Sequence, residues 1–373
     1  MKTYSIAVLP GDGVGKEVIP EGLKVVRRAG EVTGRYSITT TDYPWSCDWY
    51  LEHGEMMPAD GLKQLSDSDA IYLGAVGFPG VPDHVSLWGL LLPIRQAFDQ
   101  YVNLRPIELF DGIEGPLSGR GGRDIDMLFV RENTEGEYAG LGGRFHVSLP
   151  DESAVQVSLF TRRGVERVAR YAFEMARKRR RRLASATKSN ALQYSAVMWD
   201  EIVAEVGRDY PDVELTSYHV DALSARMVTA PGTLDVVVAS NLFGDILTDL
   251  GGALQGSMGL PAGANLNPER RHPSMFEPIH GSAPRLAGQG VANPMAAIWA
   301  GALMLDHLGE PEAADLVMNA LKHVAAQGPR PRDLGGGAST SEMGTAIAGA
   351  ISATAPSVKE DYASEYAPPP RRS

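Results

Sequence analysis

A single cysteine, Cys47, in 373 residues excludes an internal disulfide framework and fits a reducing compartment. No His or Asp pattern stands beside it, so a structural role is expected. Long apolar runs are also missing. None approaches the ~18 residues that a bilayer-spanning helix needs, and Tyr4-Ser-Ile-Ala-Val-Leu9 begins directly as a strand without a signal-peptide pattern. A cytoplasmic protein with no membrane partner is therefore expected. Positive charge is scarce, with 35 Lys and Arg against 46 Asp and Glu, and the formal net charge of −11 disfavours non-specific binding to nucleic acid. Hydrophobic content of 43% and charged content of 22% are ordinary for a globular chain and exclude a fibrous or largely disordered one. No internal repeat is present.

One segment runs against the acidic balance, Arg177-Lys-Arg-Arg-Arg-Arg182. As a nucleic-acid patch it lacks a basic stripe and stacking aromatics around it. It ends an amphipathic helix just before the strand Leu183 to Ala186, where cations complement the helix dipole, so a solvated face is expected.

Strand-like and helix-like stretches alternate along most of the chain, the signature of an α/β protein. Strands are expected at Ile6 to Leu9, Ile71 to Leu73, Met127 to Val130, Leu183 to Ala186, Leu215 to Val220 and Val236 to Ala239, with helices near 16–29, 90–99, 164–182 and 192–206. Gly140-Leu-Gly-Gly143 and the alternating Ala154 to Phe160 suggest a hairpin insertion around 136–160, which is too small to be stable alone and pairs well with another subunit. The tail Tyr366-Ala-Pro-Pro-Pro-Arg-Arg-Ser373 reads as disordered.

Pro10-Gly-Asp-Gly-Val-Gly-Lys16 lies between a strand and a helix but fits neither phosphate-loop motif. The Rossmann fingerprint needs its third glycine at Lys16, and a Walker A loop needs Ser or Thr where Glu17 stands. Any cofactor is held elsewhere.

The chemistry is carried by other residues. Asp245 and Asp249 are four apart in an otherwise apolar, glycine-rich segment after the buried strand Leu234 to Ala239. A helix would stack the two carboxylates one turn apart, and such hard oxygen ligands suit Mg²⁺ or Mn²⁺. Arg95, Arg105 and Arg131 stand at strand ends and element starts, positions from which guanidinium groups grip a polycarboxylate bidentately. With Tyr138, Lys188 and Asp221 also available, a site for a small anionic substrate is expected.

The chain resembles the β-decarboxylating dehydrogenases, a family of isocitrate, isopropylmalate, homoisocitrate and tartrate/D-malate enzymes. The match runs from about Tyr4 to Ala350 through Leu9-Pro-Gly-Asp-Gly-Val-Gly15, Asn103-Leu-Arg-Pro106, Arg131-Glu-Asn-Thr-Glu-Gly-Glu-Tyr138, Thr187-Lys-Ser-Asn-Ala191, Val220-Asp-Ala222, the acidic helix at 241–249, Glu277-Pro-Ile-His-Gly-Ser-Ala-Pro284 and Ala292-Asn-Pro294. The resemblance implies a non-Rossmann, isopropylmalate dehydrogenase-like α/β fold. One domain is made of both chain ends (1–103 and 257–373) and a second of residues 104–256. It also implies an obligate homodimer with shared active sites, in which Lys188 and Asp221 serve the partner's site. Asp221, Asp245 and Asp249 would hold the metal, Arg95, Arg105 and Arg131 the substrate, Lys188 would accept the hydroxyl proton, and Tyr138 would protonate C3 after CO₂ leaves. A nicotinamide cofactor, NAD or NADP, would lie along Glu277, His280, Gly281, Ser282, Ala283, Pro284 and Arg285, with Asn293 nearby.

Asp83-His-Val-Ser-Leu-Trp-Gly-Leu-Leu-Leu-Pro-Ile-Arg95 most resembles the tartrate/D-malate branch, because Trp88 would fill the space of a third substituent on C3. Pro44 to Trp49, Gly54 to Pro58 and Asn267 to Arg271 resemble that branch too. Leu90 and Pro93 depart from it and leave an isopropylmalate enzyme as the alternative. Arg285 stands where NAD-using members carry Asp, which favours acceptance of NADP; Arg330 and Arg332 are further candidates for its phosphate.

Overall fold

The computed structural model describes residues 1–122 and 124–351, so the tail expected to be disordered lies outside the described residues. Twelve strands occur among them: β1 (Lys2–Gly11), β2 (Tyr36–Asp42), β3 (Ala70–Ala75), β4 (Val102–Glu108), β5 (Asp126–Glu132), β6 (Gly136–Phe145), β7 (Ser153–Leu159), β8 (Arg182–Thr187), β9 (Glu214–His219), β10 (Val236–Ala239), β11 (Ala262–Leu266) and β12 (Ser274–Pro278). Ten of them form one mixed sheet in the order β2-β1-β3-β12-β11-β4-β5-β10-β8-β9. Strands from the two chain ends make one half, and strands from the middle of the chain make the other. β4 lies at their junction, antiparallel to both neighbours, and the 103/104 boundary falls inside it.

β3 and β10 are buried along their whole length because helices cover both faces of the sheet, which is why they read as unbroken apolar runs. The helix Met295–Leu308 is buried on every side, against the helices Gly15–Thr33 and Pro311–Gln327 and the sheet. A helix this uniformly apolar has no solvent face to offer. Among the described residues no helix is long and apolar enough to cross a membrane.

Three sequence expectations need correction. The helix expected at 164–182 is Arg162–Lys178, and the arginine run that follows is not a simple solvated face. The Arg179 side chain is 2% exposed and bonds Asp126 at 2.6 Å and Asp235 at 2.8 Å, and Arg180 bonds Asp126 at 2.6 Å. Asp235 is fully buried at the entry to β10, and a carboxylate placed there requires a counter-charge. The hairpin forms, but it turns at 146–152, and Gly140 to Gly143 run inside β6. The helix expected at 90–99 is a π-helical turn, Leu87–Leu91, continuing into Leu92–Ala97. Sequence reading also passed over β2, β4, β11 and β12. Cys47 is buried, and burial with Asp12 beside it pushes its thiol up to about 12, which fits an inert structural residue.

Candidate active site

The site is built where β4, β5 and β10 deliver their ends to the helix Asn241–Leu254. Asp245 and Asp249 lie on this helix one turn apart, as their spacing requires. Arg131, 1% exposed on β5, donates from Nη1 to Asp245 Oδ1 at 2.5 Å, while its Nε and Nη2 reach Asn241 Oδ1 at 3.1 and 2.7 Å. Arg105 on β4 stands 3.4 Å from Asp245 Oδ1 and donates to Asn103 Oδ1 at 2.7 Å and Thr248 Oγ1 at 2.6 Å. The Tyr138 hydroxyl, on β6, donates to Asp245 Oδ2 at 3.0 Å. Gly244 makes the packing possible, because a Cβ there would sit 2.6 Å from Arg131 Cγ.

Arg95 completes the cationic group from the helix after the π-helical turn. Its Nη2 donates to Glu277 Oε1 at 2.9 Å, and Asn265 Nδ2 donates to the same oxygen at 2.7 Å. Arg95 Nε is buried and has no partner among the described residues. An orphaned guanidinium N–H beside two more arginines is a standing demand for an anionic ligand. Trp88, on the π-helical turn, lies over Gly140, where an added Cβ would come within 2.6 Å of the indole.

Two carboxylates on one helix end up with opposite electrostatics. Burial pushes Asp245 up, but Arg131 and Arg105 outweigh it and hold the group below the usual carboxylate range. Asp249 is raised, by burial first and then by the negative charge of Asp245. Asp249 forms no hydrogen bond or ion pair among the described residues, and the nearby Arg105 and Arg131 only partly offset its burial and the charge of Asp245, a condition that a hard divalent cation would relieve.

The third expected metal ligand is elsewhere. Asp221, at the start of the helix Val220–Thr229, accepts from Lys188 Nζ at 2.8 Å, and Lys188 holds it below the usual range. Among the described residues no group of three His, Cys, Asp or Glu side chains could hold a metal. Within one chain, Asp221 is thus paired with Lys188 and not grouped with Asp245 and Asp249.

The loop after β12 borders two cavities. One, about 610 Å³, is lined by Gly281, Ser282, Ala283 and Pro284 against Gly77 and Phe78. The other, about 440 Å³, is lined by His280, Ala283, Asn293 and Arg332 with Val14 and Leu286. Both are in the size range of ligand pockets. The glycine-rich turn after β1 braces this loop: Val14 N–H donates to Ser282 O at 2.8 Å, and Gly13, at φ 54°, would place a Cβ 2.0 Å from that oxygen. Burial pulls His280 below its usual pKa and favours a neutral imidazole. Glu277 stands apart from both cavities, against Arg95. Arg285 is exposed and lines neither, and Arg330 is tied to Gly112 O at 2.6 Å.

Sequence reading missed several contributors. Asn241 and Asn265 orient the arginines, and Glu137 caps the acidic helix by accepting from Ser240 Oγ and Leu242 N, both at 3.1 Å. Glu137 and Asn241 stood inside recognised motifs, beside Tyr138 and at the head of the acidic helix, but without a role of their own; Asn265 gave no signal.

A family model described as isocitrate/isopropylmalate dehydrogenase matches residues 5–347. The D-malate dehydrogenase [decarboxylating] of Escherichia coli (strain K12) is 53% identical over 355 residues, covering 93% of this chain and 98% of that protein. The tartrate dehydrogenase/decarboxylase of Pseudomonas putida is 50% identical over 354 residues, covering 92% and 97%. Among solved structures, the isocitrate dehydrogenase of Methylococcus capsulatus superposes with a TM-score of 0.83 at 35% identity, covering 93% of this chain and 99% of that one.

Proposed function

Because this chain belongs to the isocitrate/isopropylmalate dehydrogenase family, we propose that it carries out metal-dependent oxidative decarboxylation of a small 2-hydroxy dicarboxylic acid, D-malate to pyruvate and CO₂, and oxidation of tartrate. The observation that carries the reading is the convergence of Arg131, Arg105 and Tyr138 on Asp245, one turn before Asp249. The arginines bind and orient the substrate carboxylates. Lys188 takes the C2 hydroxyl proton, and a nicotinamide cofactor, when bound, would accept the hydride from C2. The 2-oxo acid then loses its C3 carboxylate as CO₂, and Tyr138 returns a proton to C3. Asp245 and Asp249, with Asp221, would hold a Mg²⁺ or Mn²⁺, which would supply Lewis-acid stabilisation of the developing oxygen charge.

Within one chain Asp221 pairs with Lys188 and does not group with Asp245 and Asp249, so the reading places Lys188 and Asp221 in the site of a second copy. The hairpin β6–β7 supports a homodimer, because Phe145, Val147, Leu149 and Val155 are all more than half exposed on a ribbon too small to be stable alone. In this reading the molecule is a cytoplasmic homodimer with a non-Rossmann fold. One domain comprises 1–103 and 257–373, the other 104–256. Trp88 over Gly140 narrows the substrate end and favours D-malate and tartrate over isopropylmalate. A spectrophotometric panel of D-malate, the tartrates, isopropylmalate and isocitrate with both cofactors tests the assignment. Turnover of isopropylmalate alone would overturn it.

Tyr138→Phe is expected to slow the late steps more than hydride transfer. Rapid-mixing absorbance would then show an intact first-turnover burst of reduced cofactor followed by slow turnover; an equal loss in both phases would remove the late-acid role.

NADP⁺ is expected to be used at least as well as NAD⁺. Arg332 lines the 440 Å³ cavity, and Arg285, exposed and next in sequence to the lining residue Leu286, offers no acceptor to ribose hydroxyls. Arg285→Asp should shift the kcat/KM ratio toward NAD⁺ by roughly tenfold or more. A strong NAD⁺ preference that ignores this substitution would exclude Arg285 from the cofactor site.

A further inference from the structure

The opposite end of the sheet holds a second concentration of positive charge that the proposed reaction does not use. The starts of β1 and β3 and the loop before β12 border a polar cavity of about 200 Å³ lined by Lys2, Arg270, Arg271, Ser66, Ser68 and His307, among others. Asp69 is the one carboxylate in its lining, and Asp69 Oδ2 already accepts the Ser5 N–H at 2.8 Å. Lys2, Arg270 and Arg271 meet there, with Lys2 Nζ over the Tyr4 ring and Glu310, behind the wall, accepting from the Tyr4 hydroxyl at 2.9 Å.

His307 supplies an independent sign of a ligand. It is 4% exposed in the cavity wall, and its Nδ1 has no partner among the described residues. Burial drives its pKa down to about 3, so the ring is neutral near pH 7 and carries one N–H donor and one acceptor. Buried polar atoms are satisfied in most folded proteins, by protein, water or ligand. The volume is too small for a nucleotide and ample for a small oxyanion. Arg271 is exposed and forms no ion pair among the described residues, so its planar fork is available for bidentate contact with an anion.

We propose that this cavity is a second anion site, remote from the substrate clamp, that takes a small dianion of the phosphate class through Arg271 and Lys2, with His307 in its wall. The site does not depend on the reaction assigned above.

Equilibrium dialysis of the full chain with radiolabelled inorganic phosphate tests it. The wild type is expected to bind phosphate saturably. Arg271→Ala and Lys2→Gln should each weaken binding by about tenfold or more, as loss of a charge-assisted contact predicts. Arg105→Lys, which alters the substrate clamp, should leave phosphate binding unchanged. Both cavity variants should keep the wild-type KM for D-malate and the wild-type thermal midpoint without phosphate. Absence of saturable binding would overturn the proposal. So would binding that survives Arg271→Ala and Lys2→Gln, or that is lost in Arg105→Lys instead, because the anion would then be in the substrate clamp. If Arg271→Ala does not fold, Lys2→Gln decides alone.

Discussion

Replacing Asp245 by asparagine is expected to lower turnover by about 10²-fold or more, the scale of losing charge stabilisation in a transition state. The geometry assigns this residue more work than metal ligation. Its carboxylate is the common acceptor for Arg131, Arg105 and the Tyr138 hydroxyl. Asparagine keeps the shape and removes the charge, so two buried guanidinium groups lose their counter-ion. Breaking a buried pair costs about 3–5 kcal/mol, but the Asp245 side chain is 38% exposed, and after screening roughly 1–2 kcal/mol is expected. Steady-state rates with added Mn²⁺ and a thermal melt separate the two effects. Wild-type turnover in EDTA, by either protein, would refute the metal assignment. A melt unchanged in Asp245→Asn would show that the arginines do not depend on this charge.

Two inactive variants are expected to restore each other. Lys188→Ala removes one half-site and Asp245→Asn the other; if active sites are shared, a mixed dimer contains one intact pairing and one doubly defective one. Random exchange then yields about a quarter of wild-type activity, by the symmetry of a twofold dimer. The two homodimers should each be nearly dead. The pairing of Asp221 with Lys188 rather than with Asp245 and Asp249 motivates the experiment, since no group of three metal-ligating side chains forms among the described residues of one chain. The measurement is activity after denaturation and joint refolding, compared with each variant refolded alone. No recovery above the sum of the two would place Lys188 and Asp245 in the same chain's site or assign Lys188 no catalytic part.

Legibility followed the range of the interaction. The i,i+4 aspartates and the buried run before them were readable because a helix and a parallel strand are local patterns. Arg95, Arg105 and Arg131 were readable as candidates, yet nothing local says that Arg131 and Arg105 meet at Asp245 while Arg95 turns to Glu277. Asn265 and Glu277 were invisible as supports because β11 and β12 enter the sheet from a distant part of the chain. The arginine run misled for the same reason. Its charge was local information, and its partners Asp126 and Asp235 are brought to it only by the neighbouring strands β5 and β10.

By itself, then, the sequence determined the α/β class, the alternation of its elements, the acidic helix, the hairpin and the residue types of an anion-and-metal site, because each depends on periodicity or on short spacing. Tertiary structure decided the rest. It joined the chain ends and the middle into one ten-stranded sheet, gathered three separate arginine-bearing elements near one helix, and paired Asp221 with Lys188 rather than grouping it with Asp245 and Asp249. Those outcomes rest on strand order and on the pairing of buried charges over long separations, and burial fixes both only once the whole sheet has formed.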